Sequence, residues 1–130
     1  MDVLDLYAGV GTLGIEAMSR GAKTTTLVEK NYHVFQVLKK NCENICNSEQ
    51  YSLIKGDVIR YLEDCIDMFD IIMADPPYGT VEFDELLELA VPLLREDGIF
   101  CMEMSRQKLE REDVRIKQYG KTQVVFWRKS

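Results

Sequence analysis

Short runs of apolar residues alternate along the chain with segments in which apolar residues recur every three to four positions. The first pattern is typical of buried strands and the second of helices that bury one face. The patterns predict strands at residues 3–7, 24–29, 51–54, 69–74 and 99–103, and helices at residues 12–20, 31–46, just after 57 and 83–94. Such alternation predicts a parallel sheet with helices on both faces.

The C-terminal part of the chain shows a different pattern. Two strand-like segments, residues 114–119 and 122–128, flank Gly120-Lys121 and predict a hairpin with a two-residue turn. Pro92 is expected to kink or interrupt the helix at 83–94, and Gly98 to lead into the strand after it. The predicted fold class is α/β, a doubly wound Rossmann-like sheet that is mostly parallel with an antiparallel C-terminal hairpin, in a single domain over residues 1–130.

Composition and charge narrow the function classes. The chain has 130 residues, of which 46% are apolar, which is enough for a core. No apolar run approaches the roughly 18 residues of a membrane span, and nothing resembles a signal peptide, so a cytoplasmic protein without a membrane partner is expected. The net charge of −6 and the scattered lysines of the first half argue against a strongly basic nucleic-acid surface.

The cysteines give no indication of a metal site. Four cysteines occur without a C-x-x-C pair, which favours reduced thiols in apolar segments. Cys42 and Cys46 share a helical face and could supply two ligands, but the single histidine, His33, leaves a complete ligand set without candidates. No metal is therefore predicted.

The sequence Asp75-Pro76-Pro77-Tyr78 closes the almost wholly apolar run at 69–74. Consecutive prolines prevent both strand pairing and helix at this point and fix the backbone. The Asp75 carboxylate and the Pro76 and Pro77 carbonyls are then expected to be acceptors without local donors, beside the flat ring of Tyr78. Such a group suits a planar substrate that carries an amino group, although a plain turn at the end of a strand would also explain it.

Three further polar signals are predicted at the same edge of the sheet. Gly9-Val10-Gly11-Thr12-Leu13-Gly14 matches G-x-G-x-x-G, and its glycines could let a ligand approach the backbone or merely pack a helix on a strand. Glu29 ends the second strand and could accept both hydroxyls of a ribose, or be a solvated carboxylate. Asp57 could accept a bond from an adenine amino group, cap a helix, or do both.

The charges around the glycine turn favour one cofactor over another. Asp5 lies just before the turn and Glu16 in the following helix. Negative residues disfavour a pyrophosphate there and favour a cationic or zwitterionic ligand. S-adenosylmethionine, with its sulfonium and amino groups, therefore fits better than NAD.

Together these motifs resemble those of class I S-adenosylmethionine-dependent methyltransferases. The resemblance comes from Asp5-x-x-x-Gly9-x-Gly11, Glu29, Asp57 and Asp75-Pro76-Pro77-Tyr78, in that order. The stretch from Leu4 to Ala22, and Tyr119-Gly120-Lys121-Thr122, closely resemble the bacterial family that methylates the N2 amine of guanine in 16S ribosomal RNA. The resemblance covers essentially the whole chain.

The resemblance implies an activity and a set of residues. It implies methyl transfer from S-adenosylmethionine to guanine N2, with 16S ribosomal RNA or a small-subunit assembly particle as partner, and it implies no oligomeric state. The implied catalytic residues are Asp75, Pro76, Pro77 and Tyr78. The implied cofactor-binding residues are Asp5, Tyr7, Ala8, Gly9, Gly11, Glu29, Lys30, Gly56, Asp57, Val58 and Asp75.

The chain departs from that family's pattern at its start. Members of the family resemble one another in a basic N-terminal extension that carries arginines for RNA, and this sequence begins directly at the first strand. We therefore expect a catalytic domain without the extension, with an acidic balance and poor RNA binding of its own.

Three alternatives stay open at this point. A DNA adenine or cytosine N-methyltransferase would use the same tetrapeptide, although the chain has little room for a target-recognition domain. An NAD-dependent oxidoreductase would use the glycine motif and Glu29 but leaves Asp75-Pro76-Pro77-Tyr78 unexplained. A non-catalytic nucleotide-binding module would keep only the cofactor pocket.

Overall fold

The computed structural model describes all residues, 1–130, and contains one sheet of seven strands. In chain order the strands are β1 (Asp2–Leu6), β2 (Thr24–Glu29), β3 (Tyr51–Lys55), β4 (Phe69–Ala74), β5 (Leu94–Ser105), β6 (Arg115–Tyr119) and β7 (Thr122–Arg128). Across the sheet they are ordered β3-β2-β1-β4-β5-β7-β6. The strand order turns back at β1, so the crevice between β1 and β4 is where an open α/β sheet binds ligands.

The pairing confirms the predicted fold class. Strands β3, β2, β1, β4 and β5 are parallel, while β7 is antiparallel to both β5 and β6. Tyr119 pairs with Thr122, and Gly120 has a φ of 56°, so Gly120-Lys121 forms the predicted two-residue turn.

Helices pack on both faces of the sheet. They are α1 (Thr12–Ser19), α2 (Tyr32–Ile45), α3 (Val58–Asp64) and α4 (Phe83–Ala90). Helices α3 and α4 share the larger apolar cluster with Leu4, Leu6 and Ile72 of the central strands. Helices α1 and α2 share a smaller cluster with Leu27 on the other face. None of the helices is long and apolar enough to cross a membrane.

Two element boundaries differ from the sequence prediction. Helix α4 ends at Ala90 and not at residue 94, and Val91–Leu93 continues as a single 3-10 turn that contains Pro92. The proline interrupts the helix, which is one of the two expected outcomes. Strand β5 begins at Leu94 and not at residue 99, because the chain pairs with Phe69 before a short irregularity. Asp97, with a φ of 65°, and Gly98 form that irregularity inside the strand.

Candidate active site

The carboxyl ends of β3, β2, β1 and β4 lie side by side at one edge of the sheet. Asp57 follows β3, Glu29 ends β2, the glycine loop follows β1, and Asp75 follows β4. The fold therefore brings the four predicted polar signals to a single rim, as expected from the strand order.

The loop after β1 is fixed by backbone bonds and by left-handed residues. The Ala8 N–H donates to the carbonyl of Val28 at 2.9 Å, and the Gly11 N–H donates to the carbonyl of Ala8 at 3.0 Å. Tyr7 and Gly9 both have a φ of 59°. A left-handed tyrosine is uncommon, and it turns the chain sharply out of the strand.

The three glycines of the motif have different roles. A Cβ on Gly9 would meet no atom within 4 Å, so this position faces open space where a ligand could approach. A Cβ on Gly11 would lie 2.7 Å from Leu38 Cδ1, and one on Gly14 would lie 2.4 Å from Leu27 Cδ2. Gly11 and Gly14 therefore serve helix packing, and only the first glycine is open to a ligand.

Glu29 holds the glycine loop in place. Its Oε1 accepts a hydrogen bond from the Gly9 N–H at 2.8 Å, and its Oε2 accepts one from the Asn31 N–H at 2.9 Å. Asn31 in turn caps α2 by accepting from the Val34 N–H. Sequence reasoning considered a hydroxyl-binding role or a solvated carboxylate for Glu29, and neither includes these backbone bonds. In the structure each carboxylate oxygen already has one backbone donor and keeps one lone pair for a ligand.

Asp57 caps α3, because its Oδ2 accepts from the Arg60 N–H at 3.0 Å. The neighbouring Gly56 N–H donates to the Glu29 carbonyl at 3.0 Å and ties the end of β3 to β2. A cavity of about 330 Å³ opens beside this segment. Asp57 is exposed and its second oxygen has no partner within the protein, so the cap leaves an acceptor available.

The other implied cofactor residues around this rim differ in exposure. Tyr7 is half-buried against the larger core cluster, and burial raises the pKa of its hydroxyl. Ala8 and Val58 are buried, whereas Lys30 is exposed. Backbone groups of Ala8 and Val58 could still border a ligand.

Asp5 lies beneath the loop and not on its surface. The residue is 1% exposed, and its Oδ2 has no hydrogen-bond partner. Burial raises the pKa of the Asp5 carboxyl to about 7. A hydrogen bond from the Gly14 backbone opposes this rise, and the charges of Asp75 and Glu29 add smaller upward contributions. A carboxyl buried in this way makes no direct contact with a ligand at the surface. It acts on a ligand only through its charge or by supporting the loop above it.

The turn after β4 leaves a specific set of acceptors free. Sequence reasoning expected both proline carbonyls to lack donors. In the structure the Pro77 carbonyl accepts from the Thr80 N–H at 3.2 Å and from the Thr80 hydroxyl at 2.7 Å. The free acceptors are therefore the Pro76 carbonyl and the Asp75 carboxylate. The ring of Tyr78 stands beside them, 87% exposed.

A cavity of about 430 Å³ opens between this turn and the end of β5. One wall is the segment from Asp75 to Glu82, and the other is formed by residues 102–107 with Thr122. Partial desolvation raises the pKa of Asp75, and burial and the Asp75 charge raise that of Glu103. Arg106 also lines the cavity, and its guanidinium donates only to uncharged acceptors, the Gly120 carbonyl at 3.1 Å and Gln118 Oε1 at 2.9 Å.

The basic residues are concentrated in one segment, which sequence reasoning missed. Residues 101–130 contain eight of the 16 Lys and Arg residues but four of the 22 Asp and Glu residues, a net charge of +4, whereas residues 1–100 carry −10. Much of this segment forms the β6–β7 hairpin, where Arg115, Lys117 and Lys121 are exposed. Counting charge by segment would have found this basic end.

All four cysteines are free thiols, and the structure contains no group of three or more potential metal ligands. Burial raises the pKa of the Cys42 thiol to about 11, with a smaller contribution from Cys46.

Comparison with known proteins assigns the chain to a family. Residues 1–128 match the family model described as "Conserved hypothetical protein 95". The chain belongs to this family. Ribosomal RNA small subunit methyltransferase D of Haemophilus influenzae is 38% identical over 100 residues, covering 75% of the chain and 50% of that protein. YlbH of Bacillus subtilis is 32% identical over 97% of the chain and 74% of its own length.

The structural comparison agrees with this family assignment. An RNA methyltransferase from Salinibacter ruber, crystallised with S-adenosyl-L-homocysteine, superimposes with a TM-score of 0.74 over 98% of this chain and 79% of its own. At 15% identity that likeness shows the fold alone. The family resemblance drawn from the sequence motifs is therefore confirmed. The chain has the fold of the class I methyltransferases.

Proposed function

We propose that this chain is the catalytic part of an S-adenosylmethionine-dependent methyltransferase that acts on the N2 amine of a guanine in 16S ribosomal RNA. The observation that carries the proposal is the pair of free acceptors, the Asp75 carboxylate and the Pro76 carbonyl, beside the exposed ring of Tyr78. They lie next to a glycine loop whose first glycine faces open space. The name of the Haemophilus relative supports ribosomal RNA as the substrate.

The residues of the rim fit S-adenosylmethionine. The open face of Gly9 would border the methionine part, the unused lone pairs of Glu29 would accept the ribose hydroxyls, and the free oxygen of Asp57 would accept the adenine amine. The buried Asp5 carboxyl, with one oxygen unpartnered, lies beneath the loop and adds negative potential there in its ionised form. Backbone and side-chain atoms of Tyr7, Ala8, Lys30, Gly56 and Val58 would complete the surroundings, while Gly11 supports the loop through helix packing.

When bound, S-adenosylmethionine supplies an electrophilic methyl group. The exocyclic amine of guanine is a poor nucleophile because its lone pair is delocalised into the ring. Hydrogen bonds from that amine to Asp75 and to the Pro76 carbonyl would pull the nitrogen towards tetrahedral geometry and localise the lone pair. The same acceptors would stabilise positive charge as it develops on nitrogen.

Tyr78 supplies the second half of the substrate site. A ring that is 87% exposed and makes no hydrogen bond offers both faces to an unpaired base. Stacking of bases on aromatic side chains is the usual way in which proteins bind single-stranded RNA. Stacking would hold the amine against Asp75, and this positioning accounts for the rest of the rate acceleration.

The basic hairpin is proposed as the surface that meets the RNA backbone. Arg106 borders the cavity with its charge unpaired, and Lys117 and Lys121 extend the positive surface along β6 and the hairpin turn. Because the chain spans half of the Haemophilus relative, we propose that the whole protein binds RNA more tightly than this chain does. We also propose that the reaction takes place in the cytoplasm, on naked RNA or on an assembling small-subunit particle.

Calorimetry and methyl transfer test the proposal. The chain should bind S-adenosylmethionine and not NAD, and binding of NAD alone would contradict it. Transfer of labelled methyl groups to small-subunit RNA from cells that lack the modification should depend on Asp75. The variant Asp75→Ala should abolish transfer and leave cofactor binding largely intact, and an active Asp75→Ala protein would show that the acceptor mechanism is wrong.

A further inference from the structure

Glu103 and Asp75 line the same cavity. Ala74, the last residue of β4, pairs with Met102 of β5, so Asp75 and Glu103 directly follow the last paired residues of these parallel strands. Adjacent strands are about 4.8 Å apart, which keeps the two residues close to each other. The influence of the Asp75 charge on the pKa of Glu103 agrees with this proximity.

The Glu103 carboxylate has no structural task within the protein. Hydrogen bonding contributes nothing to its pKa, whose causes are burial and the Asp75 charge. It forms none of the salt bridges, which involve other acidic residues. Its backbone pairs with Val124 of β7, so the strand positions the side chain without using it. A half-buried acceptor that lines a cavity and lacks a partner is a candidate for substrate recognition.

The chemistry of the three amino-bearing bases distinguishes what Glu103 could recognise. In guanine the N2 amine stands next to N1–H, which is a donor. In adenine and cytosine the amine stands next to an unprotonated ring nitrogen, which is an acceptor. A second carboxylate beside the amine-binding group therefore attracts the guanine edge and repels the other two.

We propose that Glu103 accepts the N1–H of the target guanine while Asp75 and the Pro76 carbonyl accept the N2 amine. Glu103 is then a specificity-determining residue, and the paired carboxylates restrict the amine-binding turn to guanine. The inference rests on the proposed methyltransferase function and adds the base edge that the site selects.

The test uses a base analogue that separates the two hydrogen bonds. The methylated guanine is first mapped in undermodified 16S RNA, and an RNA fragment is made with guanine or 2-aminopurine at that position. 2-Aminopurine keeps the 2-amino group but has an acceptor at N1. The wild-type chain should methylate the guanine fragment with a kcat/KM at least about tenfold higher, because a hydrogen bond to a charged group is lost with the analogue.

The variant Glu103→Gln should remove the preference for guanine, because the amide can donate to N1 of 2-aminopurine. We expect the guanine to 2-aminopurine ratio of kcat/KM to fall by at least about tenfold. Both fragments are turned over by the same preparation, so the ratio does not depend on the folded fraction. The control Glu82→Gln removes a charge from the same cavity without changing the carboxylate beside Asp75, and its ratio should match the wild type.

The outcomes separate the inference from the proposed function. If no 16S guanine is methylated at N2 by the wild-type chain or by the whole protein, the proposed function fails and the inference fails with it. If guanine is methylated but Glu103→Gln keeps the wild-type ratio, or Glu82→Gln changes it equally, the function stands and the role of Glu103 is refuted.

Discussion

Replacing Asp5 by asparagine should remove a pH-dependent decrease in the free energy of unfolding. The Asp5 carboxyl is 1% exposed and its Oδ2 has no partner. It lies within 2.9 Å of the position that a Cβ on Gly14 would occupy, which places it under α1. Burial raises its pKa from 3.8 to about 7, so the folded protein holds a proton that the unfolded chain releases.

The magnitude follows from linkage between proton binding and folding. Below pH 3.8 the carboxyl is protonated in both states and has no effect. Between pH 3.8 and about 7 the unfolded chain loses the proton first, so the free energy of unfolding falls as the pH rises. Each pKa unit corresponds to about 1.4 kcal/mol, so the loss above pH 7 amounts to about 4 kcal/mol.

Urea unfolding of wild type and Asp5→Asn between about pH 4 and 8 measures this loss. The amide does not titrate, so the difference in free energy of unfolding between variant and wild type should increase by about 4 kcal/mol from the low to the high end of that range. The buried N–H groups of the amide add an offset that does not change with pH. Asp2→Asn on the same strand is the control. Thr24 and Arg95 lower the Asp2 pKa, so its contribution is lost only below pH 3.8, and the difference from wild type should be constant above it. Parallel curves for Asp5→Asn would refute the buried, proton-holding state of Asp5.

Three further predictions concern the loop, the hairpin and the turn. Gly14→Ala should lower the free energy of unfolding by about 1–3 kcal/mol, because its Cβ clashes with Leu27. Gly9→Ala has no clash but a positive φ, so it should cost about 1 kcal/mol of stability and mainly weaken cofactor binding. If the two variants lost equal stability in urea unfolding and equal cofactor affinity in calorimetry, this division of roles would be wrong. If Arg106 contacts a phosphate, Arg106→Ala should weaken RNA binding alike for all sequences and reduce the slope of log K against log salt by about one. An unchanged slope would exclude that phosphate contact. Desolvation raises the pKa of Asp75 above 3.8, so kcat/KM should begin to fall with decreasing pH before the ordinary carboxyl range is reached. A profile that falls only near pH 3.8 would contradict a desolvated Asp75.

The sequence predicted most of the fold because each strand is a short apolar run closed by a turn signal. The order of β-strands and helices, the hairpin at Gly120-Lys121 and the common rim all agree with the structure. The start of β5 was wrong because Leu94 pairs with Phe69 across a charged irregularity that breaks the apolar run. Local patterns do not show a bulge whose cause is pairing with a distant strand.

The candidate site was predicted by residue type but not by hydrogen-bond partner. Glu29 and Asp57 lie where the motifs indicated, yet both already bind backbone N–H groups. The bond from Thr80 to the Pro77 carbonyl depends on how the turn closes, which proline spacing alone does not give. Glu103 has no motif of its own, and only the register between β4 and β5 places it beside Asp75.

The uneven distribution of charge along the chain bears on how an acidic protein can approach an RNA. β3, which precedes Asp57, and β6 of the basic hairpin are at opposite edges of the sheet, separated by six interstrand spacings or about 29 Å. The Debye length at physiological ionic strength is about 8 Å, so phosphates at the hairpin are screened from charges at the β3 edge. The local positive charge of the hairpin, and not the net charge of −6, therefore decides the encounter. An RNA that meets the hairpin first is presented to the cavity beside Asp75.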